Sequence, residues 1–135
     1  MHAWLDCFDQ QEGSYICIPR ENEDDALPLA LMMDDCYTRL RDRVNYVTDV
    51  WKGTFEDYHT RHFVQRLKFA PDGSSQYSAE SNFSVMYTTV QGTSAVLVVG
   101  TYVDRIVVRN GIAHFISKRA ILDTTVTPRY LVYPV

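Results

Sequence analysis

The hydrophobic period of the chain changes near Gly53, and this change constrains the fold more than any other sequence feature. Apolar residues between Tyr37 and Trp51 recur at spacings of three and four, which is the repeat of one helix face. Beyond Gly53, apolar and polar residues alternate over long stretches, as around Phe83 and Val85, which is the repeat of a strand with one buried face. The chain is therefore predicted to place its helices first and to finish as a series of long antiparallel strands.

Turn signals divide the second half of the chain into strands. Pro71-Asp72-Gly73-Ser74-Ser75 and Gln91-Gly92-Thr93 are turn sequences, and Asn110-Gly111 predicts a two-residue type I′ hairpin. The segment 94–108 is apolar on both faces at its start, which predicts a central strand. The predicted strands cover residues 62–70, 78–90, 94–108 and 112–125.

The first half is predicted to contain two helices and one short strand. Residues 1–9 have the pattern of the last turns of a helix, and Ser14–Pro19 has the pattern of a strand that ends at its proline. Asp34 or Asp35 is the predicted N-cap of the helix that carries the apolar stripe. Between the strand and this helix, Glu21 to Asp25 is predicted to be a solvated acidic loop.

These elements predict an α+β fold, in which a curved antiparallel sheet of long strands wraps over N-terminal helices to give a cone. The chain has 135 residues and no linker or internal repeat, so residues 1–135 are predicted to form a single domain. The final segment, residues 129–135, is apolar enough to pack on the body of the protein or to enter a partner, and the sequence leaves both possibilities open.

Composition and charge exclude several classes of protein. The formal net charge is −4, so the chain lacks the excess of Lys and Arg that binds nucleic-acid phosphates. No apolar run approaches the roughly 20 residues that span a bilayer, and residues 1–7 lack the pattern of a signal peptide. Cys7, Cys17 and Cys36 have no zinc-binding spacing and are odd in number, which predicts reduced, mostly buried thiols in a cytoplasmic protein.

Three segments carry a resemblance to a known family. They are Met33-Asp34-Asp35 with the following Leu40-Arg41-Asp42-Arg43-Val44, Tyr58-His59-Thr60-Arg61-His62-Phe63-Val64, and Ser117-Lys118-Arg119-Ala120-Ile121-Leu122-Asp123. In this order they resemble the small (beta) subunits of bacterial aromatic-ring-hydroxylating dioxygenases, which belong to the SnoaL-like and nuclear-transport-factor-like superfamily of cone folds. Members of that family begin with a longer helix, so the resemblance implies that part of an upstream N-terminal helix is missing from residues 1–135.

The resemblance implies a non-catalytic structural small subunit of a Rieske non-haem iron dioxygenase that acts in aromatic compound degradation. It implies a large (alpha) subunit as partner, and self-association as a trimer within a hexamer of three large and three small subunits. A Rieske 2Fe-2S cluster and a mononuclear iron are expected in the large subunit, and no cofactor is expected in this chain. The residues agree, because a Rieske centre needs paired Cys and His ligands and no Cys-x-His pair occurs here.

Charged residues in or beside the strands are candidates for subunit contacts. Arg61, Arg119 and Asp123 occupy such positions, where an unpaired charge is costly if it is buried. They are predicted either to form ion pairs that orient a contact between subunits or to lie on a solvated sheet face. Under this hypothesis the chain has no catalytic residue.

A second hypothesis is a stand-alone SnoaL-like enzyme or small-molecule binder of the isomerase or dehydratase type, which uses the cone cavity. His62 would then face the cavity beside Asp34, Asp35 or Tyr15 and form an acid–base pair. Helix capping is the simpler interpretation of the two acids. His59 and His62 are three positions apart, but hydrogen bonds to nearby groups explain them better than a metal ion does, and no metal site is predicted.

Overall fold

A six-stranded sheet is the scaffold of the protein, and the computed structural model describes it together with the rest of residues 1–135. The long strands β3 to β6 are the four that the alternating pattern predicted. The strands are β1 Tyr15–Pro19, β2 Met32–Asp34, β3 Tyr58–Pro71, β4 Gln76–Thr89, β5 Ser94–Arg109 and β6 Ile112–Leu122. The helices are α1 His2–Leu5, α2 Arg20–Asp24 and α3 Tyr37–Asn45, and α3 continues into a π-helical turn at Tyr46–Val50.

The strand order is β2-β1-β6-β5-β4-β3, so β2 and β3 form the two edges of the sheet. All neighbouring strands are antiparallel except β1 and β6, which run parallel. Register shifts interrupt the ladders of the long strands, and such bulges bend a strand and increase its twist. The predicted α+β architecture, a curved sheet over N-terminal helices, is confirmed.

The hairpin between β5 and β6 has the predicted two-residue turn. Asn110 has a φ of 53° and Gly111 a φ of 79°, the positive values that a type I′ turn needs at both central positions. Arg109 pairs with Ile112 directly across the turn. The turn therefore sets the register of the two strands.

The hydrophobic core lies between α3 and the inner face of the sheet. Leu40 and Val44 of α3 are completely buried, as the spacing of the stripe predicted. Val85 and Val98 supply the facing surface from β4 and β5. The apolar face of the helix and the apolar face of the strands thus pack together in one cluster.

The C-terminal segment packs on the body of its own chain. Val132 and Val135 are buried in the same core cluster. The Tyr15 hydroxyl donates to the carbonyl of Val135 at 2.9 Å and accepts from its amide at 3.0 Å. Of the two possibilities that the sequence leaves open for this segment, the structure shows packing on the body of the protein.

The predicted N-cap of α3 is wrong. Asp34 is the last residue of β2, and Cys36 is the N-cap, without a side-chain hydrogen bond to the helix. Asp34 is buried, and its carboxylate accepts two hydrogen bonds from the Arg43 guanidinium, one of them at 3.1 Å from Nη2. A bidentate pair with arginine is stronger than a cap, so Asp34 is held in the sheet edge.

The acidic segment predicted as a loop begins as a short helix. Arg20–Asp24 form α2, which Pro19 starts as its N-cap. Two ion pairs fasten this helix to the sheet, Arg20 with Asp123 and Glu23 with Arg119. Neither α2 nor any other helix has the length and apolar character that a membrane crossing requires.

Candidate functional site

A row of polar side chains crosses the inner face of the sheet at one level. Strand register places Asp34 beside Tyr15, and Tyr15 beside Lys118. Lys118 lies in turn beside Asp104 of β5. Asp34, Tyr15 and Asp104 are buried, and the Lys118 side chain is 13% exposed. The row is therefore the part of the cone interior where a chemical function would be sought.

Lys118 is enclosed by a carboxylate and two aromatic rings. Its Nζ atom lies 3.4 and 3.3 Å from the two carboxylate oxygens of Asp104. The same atom lies 3.5 Å from the ring centroid of Tyr102 and 4.8 Å from that of Phe115. Tyr102 is fixed in place because its ring stacks on Phe83, with centroids 3.9 Å apart. The ammonium group thus has its partners within the chain.

Burial shifts the pKa of every titratable group in this cluster. It raises the pKa of Asp104 by more than the nearby Lys118 lowers it. Burial also lowers the pKa of Lys118 despite the favourable charge of Asp104, and it raises the pKa of Tyr102 well above the usual tyrosine range. Shifts of this kind occur in catalytic sites and in structural ion pairs alike, so access and geometry must distinguish the two.

Access to the cluster is closed by the protein itself. Tyr102 and Asp104 are 4% and 7% exposed, so a substrate would have to displace core side chains to reach them. Tyr15 uses its hydroxyl group on the backbone of Val135, and Asp34 uses its carboxylate on Arg43. Each polar group of the row is committed to a contact that holds the fold together.

His62 forms no hydrogen bond or ion pair with the acids of the second hypothesis. It belongs to β3, at the opposite edge of the sheet from Asp34 on β2. Partial desolvation of the imidazole and the positive charge of Lys118 lower the pKa of His62, and no carboxylate offsets them. Asp35 is exposed and lies beside Arg39, 3.4 Å from its Nε atom. The structure brings Tyr15 and Asp34 together, but it brings His62 to neither acid.

The three charged candidates for subunit contacts have different surroundings. Arg119 binds Glu23 and Asp123 binds Arg20, so both hold α2 against the sheet. Arg61 is exposed on β3 opposite Met86 and has no ion pair within the chain. Arg61 alone of the three has its guanidinium free for a partner.

A third buried carboxylate, not singled out by the sequence, lies at another part of the sheet. Asp9 is 5% exposed and accepts hydrogen bonds from the amides of Gln11 and Glu12, each at 3.0 Å. Arg109 donates to its other oxygen at 2.6 Å. Burial alone would raise the pKa of Asp9, but the hydrogen bonds and charge of these partners lower it below the usual value. This group ties the N-terminal segment to the end of β5.

The Asp104–Lys118 pair was missed by sequence analysis, although one signal for it was present. Asp104 is two positions after Tyr102, so an alternating strand directs both side chains to the same face. A charged residue on the buried face of a strand requires a partner. The sequence does not identify Lys118 as that partner, because the register of β5 and β6 is needed to bring the two together.

The residues of this chain do not fit an iron centre. No group of three or more His, Cys, Asp or Glu side chains lies close enough together to hold a metal ion. Cys7, Cys17 and Cys36 are free thiols, and the prediction that most of them are buried is wrong, because only Cys17 is buried. A Rieske cluster needs two Cys and two His, and a mononuclear non-haem iron needs two His and a carboxylate on one face.

Comparisons with known sequences agree with the fold and with the family resemblance. The family model described as ring hydroxylating beta subunit matches residues 1–129. The anthranilate 1,2-dioxygenase small subunit of Burkholderia cepacia is 28% identical over 135 residues, which cover 100% of this chain and 82% of that protein.

Solved structures give the same result. A Novosphingobium aromaticivorans protein assigned as the beta subunit of an aromatic-ring-hydroxylating dioxygenase superposes with a TM-score of 0.78 and 31% identity, over 91% of this chain and 76% of that chain. The beta subunit of the Burkholderia mallei benzoate 1,2-dioxygenase has a TM-score of 0.70 and 18% identity, over 90% of this chain and 76% of that chain, and it supports the fold. With the family model spanning nearly the whole chain, this protein belongs to the family of ring-hydroxylating beta subunits.

Proposed function

We propose that this chain is the non-catalytic, structural small subunit of an aromatic-ring-hydroxylating dioxygenase that acts in aromatic compound degradation. The observation that carries the proposal is the match of the family model to residues 1–129. The contacts of the interior support it, because the polar row on the inner face is used to hold the fold. A large subunit is the partner that a small subunit of this family implies.

The proposal assigns the iron chemistry to the large subunit. This chain has no cluster of ligands for either iron centre, whereas the activity requires both of them. We propose an assembly of three small and three large subunits. The three free thiols agree with a reducing compartment, and we place the assembly in the cytoplasm.

The proposed subunit contacts use the exposed strands and their free charge. Val96, Val99 and Val103 of β5 are 48%, 37% and 40% exposed on the outer face of the sheet. Arg61 is the candidate that can form an ion pair across such a contact. Arg119 and Asp123 support the contact indirectly, because their ion pairs keep α2 in position beside it.

The test is purification of the tagged chain from its own host after growth on aromatic substrates. We expect a larger subunit and iron to co-purify, in a particle several times heavier than three copies of the 15.6 kDa chain. An iron-free assembly of this chain alone that turns over a cyclic substrate would overturn the proposal.

A variant of the purified complex tests the non-catalytic role. His62→Ala is expected to leave turnover per iron unchanged, because His62 has no acid partner. His59→Ala on the same strand is the matched control for any effect of β3 on assembly. A loss of turnover in His62→Ala but not in His59→Ala, at full iron content, would show that the small subunit contributes a catalytic group.

A further inference from the structure

Strand β3 is an edge strand with apolar side chains exposed on both faces. Phe63 and Val64 point to opposite faces and are 58% and 57% exposed, and Phe69 is 51% exposed. The outer backbone edge of β3 has no neighbouring strand. A long apolar edge of this kind associates with another chain unless it is protected. It is the longer of the two edges of the sheet, because β2 at the other edge has only three residues.

The free charge on β3 is positive. Arg61 and Arg66 are exposed and have no ion pair within the chain, and the Arg66 guanidinium lies over the ring of Phe69, 5.9 Å from its centroid. Lys68 is also exposed and pairs with Glu80 at 2.8 Å. We call the exposed residues 61–69 of β3 the basic edge.

The opposite edge of the sheet has the same apolar character and the opposite charge. Leu27, Leu29, Leu31 and Met33 are 43%, 62%, 54% and 48% exposed in the segment that leads into β2. Just before them, Glu21, Asp24 and Asp25 lie in and directly after α2, which packs on β1 and β6 next to this edge; they are exposed and have no ion pair within the chain. We call residues 21–33 the acidic edge.

We propose that the basic edge of one copy packs against the acidic edge of the next copy. This inference rests on the proposed function, since it specifies how the small subunits contact one another within the assembly. The two edges lie at opposite ends of one sheet, so each copy offers one edge to each neighbour. When such head-to-tail contacts close into a ring, every edge is in contact with a neighbouring copy. A ring of three copies meets this condition.

Charge complementarity favours a second copy of this chain as the occupant. The same molecule carries both halves of the contact. One half has apolar side chains beside unpaired arginines, and the other has apolar side chains beside unpaired carboxylates. A symmetric contact of β3 with β3 would instead place Arg61 and Arg66 among like charges and leave the carboxylates without a partner.

Charge reversal on the complete complex tests the contact. The first variant is Arg61→Glu with Arg66→Glu, and the second is Asp24→Lys with Asp25→Lys. The latter change is compatible with folding, because basic residues are favourable near a helix C-terminus. The third variant carries all four changes and restores opposite charges at every contact. Arg41→Glu, at an exposed position on α3 without an ion pair, is the matched control.

Self-association is measured by sedimentation at low salt, and the composition of the complex by native mass spectrometry. We expect each two-residue variant to weaken self-association by about tenfold or more. The four-residue variant should recover the wild-type affinity, and the control should not change it. Unchanged affinity in the first two variants, or no recovery in the third, would overturn the inference.

Two further outcomes separate this inference from the proposed function. If the variants lose the large subunit but keep their self-association, these edges bind the large subunit and the inference is wrong. If the wild-type chain recovers neither a large subunit nor iron, the proposed function fails, whatever the variants show.

Discussion

Replacing Lys118 with methionine tests the conclusion that the inner polar cluster is structural. The substitution removes the ammonium group between Asp104 and Tyr102 and keeps most of the side-chain volume. Asp104 is then a carboxylate with a 9% exposed side chain and no cationic partner. Breaking a buried ion pair in this way costs about 3–5 kcal/mol. We expect Lys118→Met to lower the free energy of unfolding by that amount at pH 7.

A double variant separates the cost of an unpaired charge from the cost of lost packing. Lys118→Met combined with Asp104→Leu removes both charges and leaves an apolar cluster. Such replacements range from neutral to stabilising by about 1–4 kcal/mol. The double variant should therefore recover all or more of the stability that the single variant loses. Lys52→Met, at an exposed position without an ion pair, is the control and should leave stability unchanged.

The pH dependence of the single variant has a definite sign. Burial already raises the pKa of Asp104 in the folded protein, and removal of Lys118 takes away the charge that opposes this effect. A folded-state pKa above the unfolded value means that the folded protein gains stability relative to the unfolded chain as pH falls through that interval. The penalty of Lys118→Met should thus shrink as the pH falls from 7 toward the ordinary aspartate range near about 4.

Urea unfolding of the full chain at fixed concentration, between pH 4 and pH 8, measures all of these quantities. A penalty below about 1 kcal/mol is the range of an exposed ion pair, and it would show that the pair is solvated. A double variant no more stable than Lys118→Met would show that packing, and not the unpaired carboxylate, determines the cost. Either result would refute the reasoning.

Three further changes test other contacts by the same unfolding assay. Asp9→Asn weakens the contacts with Arg109 and the backbone and should cost about 1 kcal/mol at neutral pH. Because the folded-state pKa of Asp9 is lowered, this difference should persist above about pH 4 and disappear as the pH falls through the lowered value. Gly100→Ala should cost about 3 kcal/mol or more, since its Cβ would lie 2.0 Å from the carbonyl oxygen of Ile121, and a soluble variant of unchanged stability would contradict this. Tyr15→Phe should cost about 1–3 kcal/mol and speed hydrogen exchange in the C-terminal segment, whereas unchanged exchange would show that the hydroxyl does not hold that segment.

Most of the fold could be predicted because its main signals are local. The alternating pattern of β3 to β6 and the Asn110-Gly111 turn depend only on residues that are neighbours in the chain. Strand β2 could not be predicted in this way, because three residues are too few to show a period. The prediction of Asp34 as an N-cap was wrong because the folded chain offers this carboxylate an ion pair with Arg43, which is stronger than a capping hydrogen bond.

The candidate site was less predictable than the fold, because its residues meet across strands. Arg61, Arg119 and Asp123 look alike in the sequence, but Arg119 and Asp123 have ionic partners that lie about 100 positions away in the chain, at 96 and 103 residues. His62 and Asp34 were candidates for one site, and the strand order puts them at opposite edges of the sheet.

By itself the sequence determined the long strands, the helix with the apolar stripe, the apolar faces and the family, since these depend on spacing and on short motifs. The tertiary structure decided which charges are paired and which are free. Only the register of β1, β2, β5 and β6 brings the polar row together, and only the strand order leaves Arg61 and Arg66 unpaired at one edge with the free acids at the other. Electrostatic and packing energies act over a few ångströms in space, and distance along the chain does not report them.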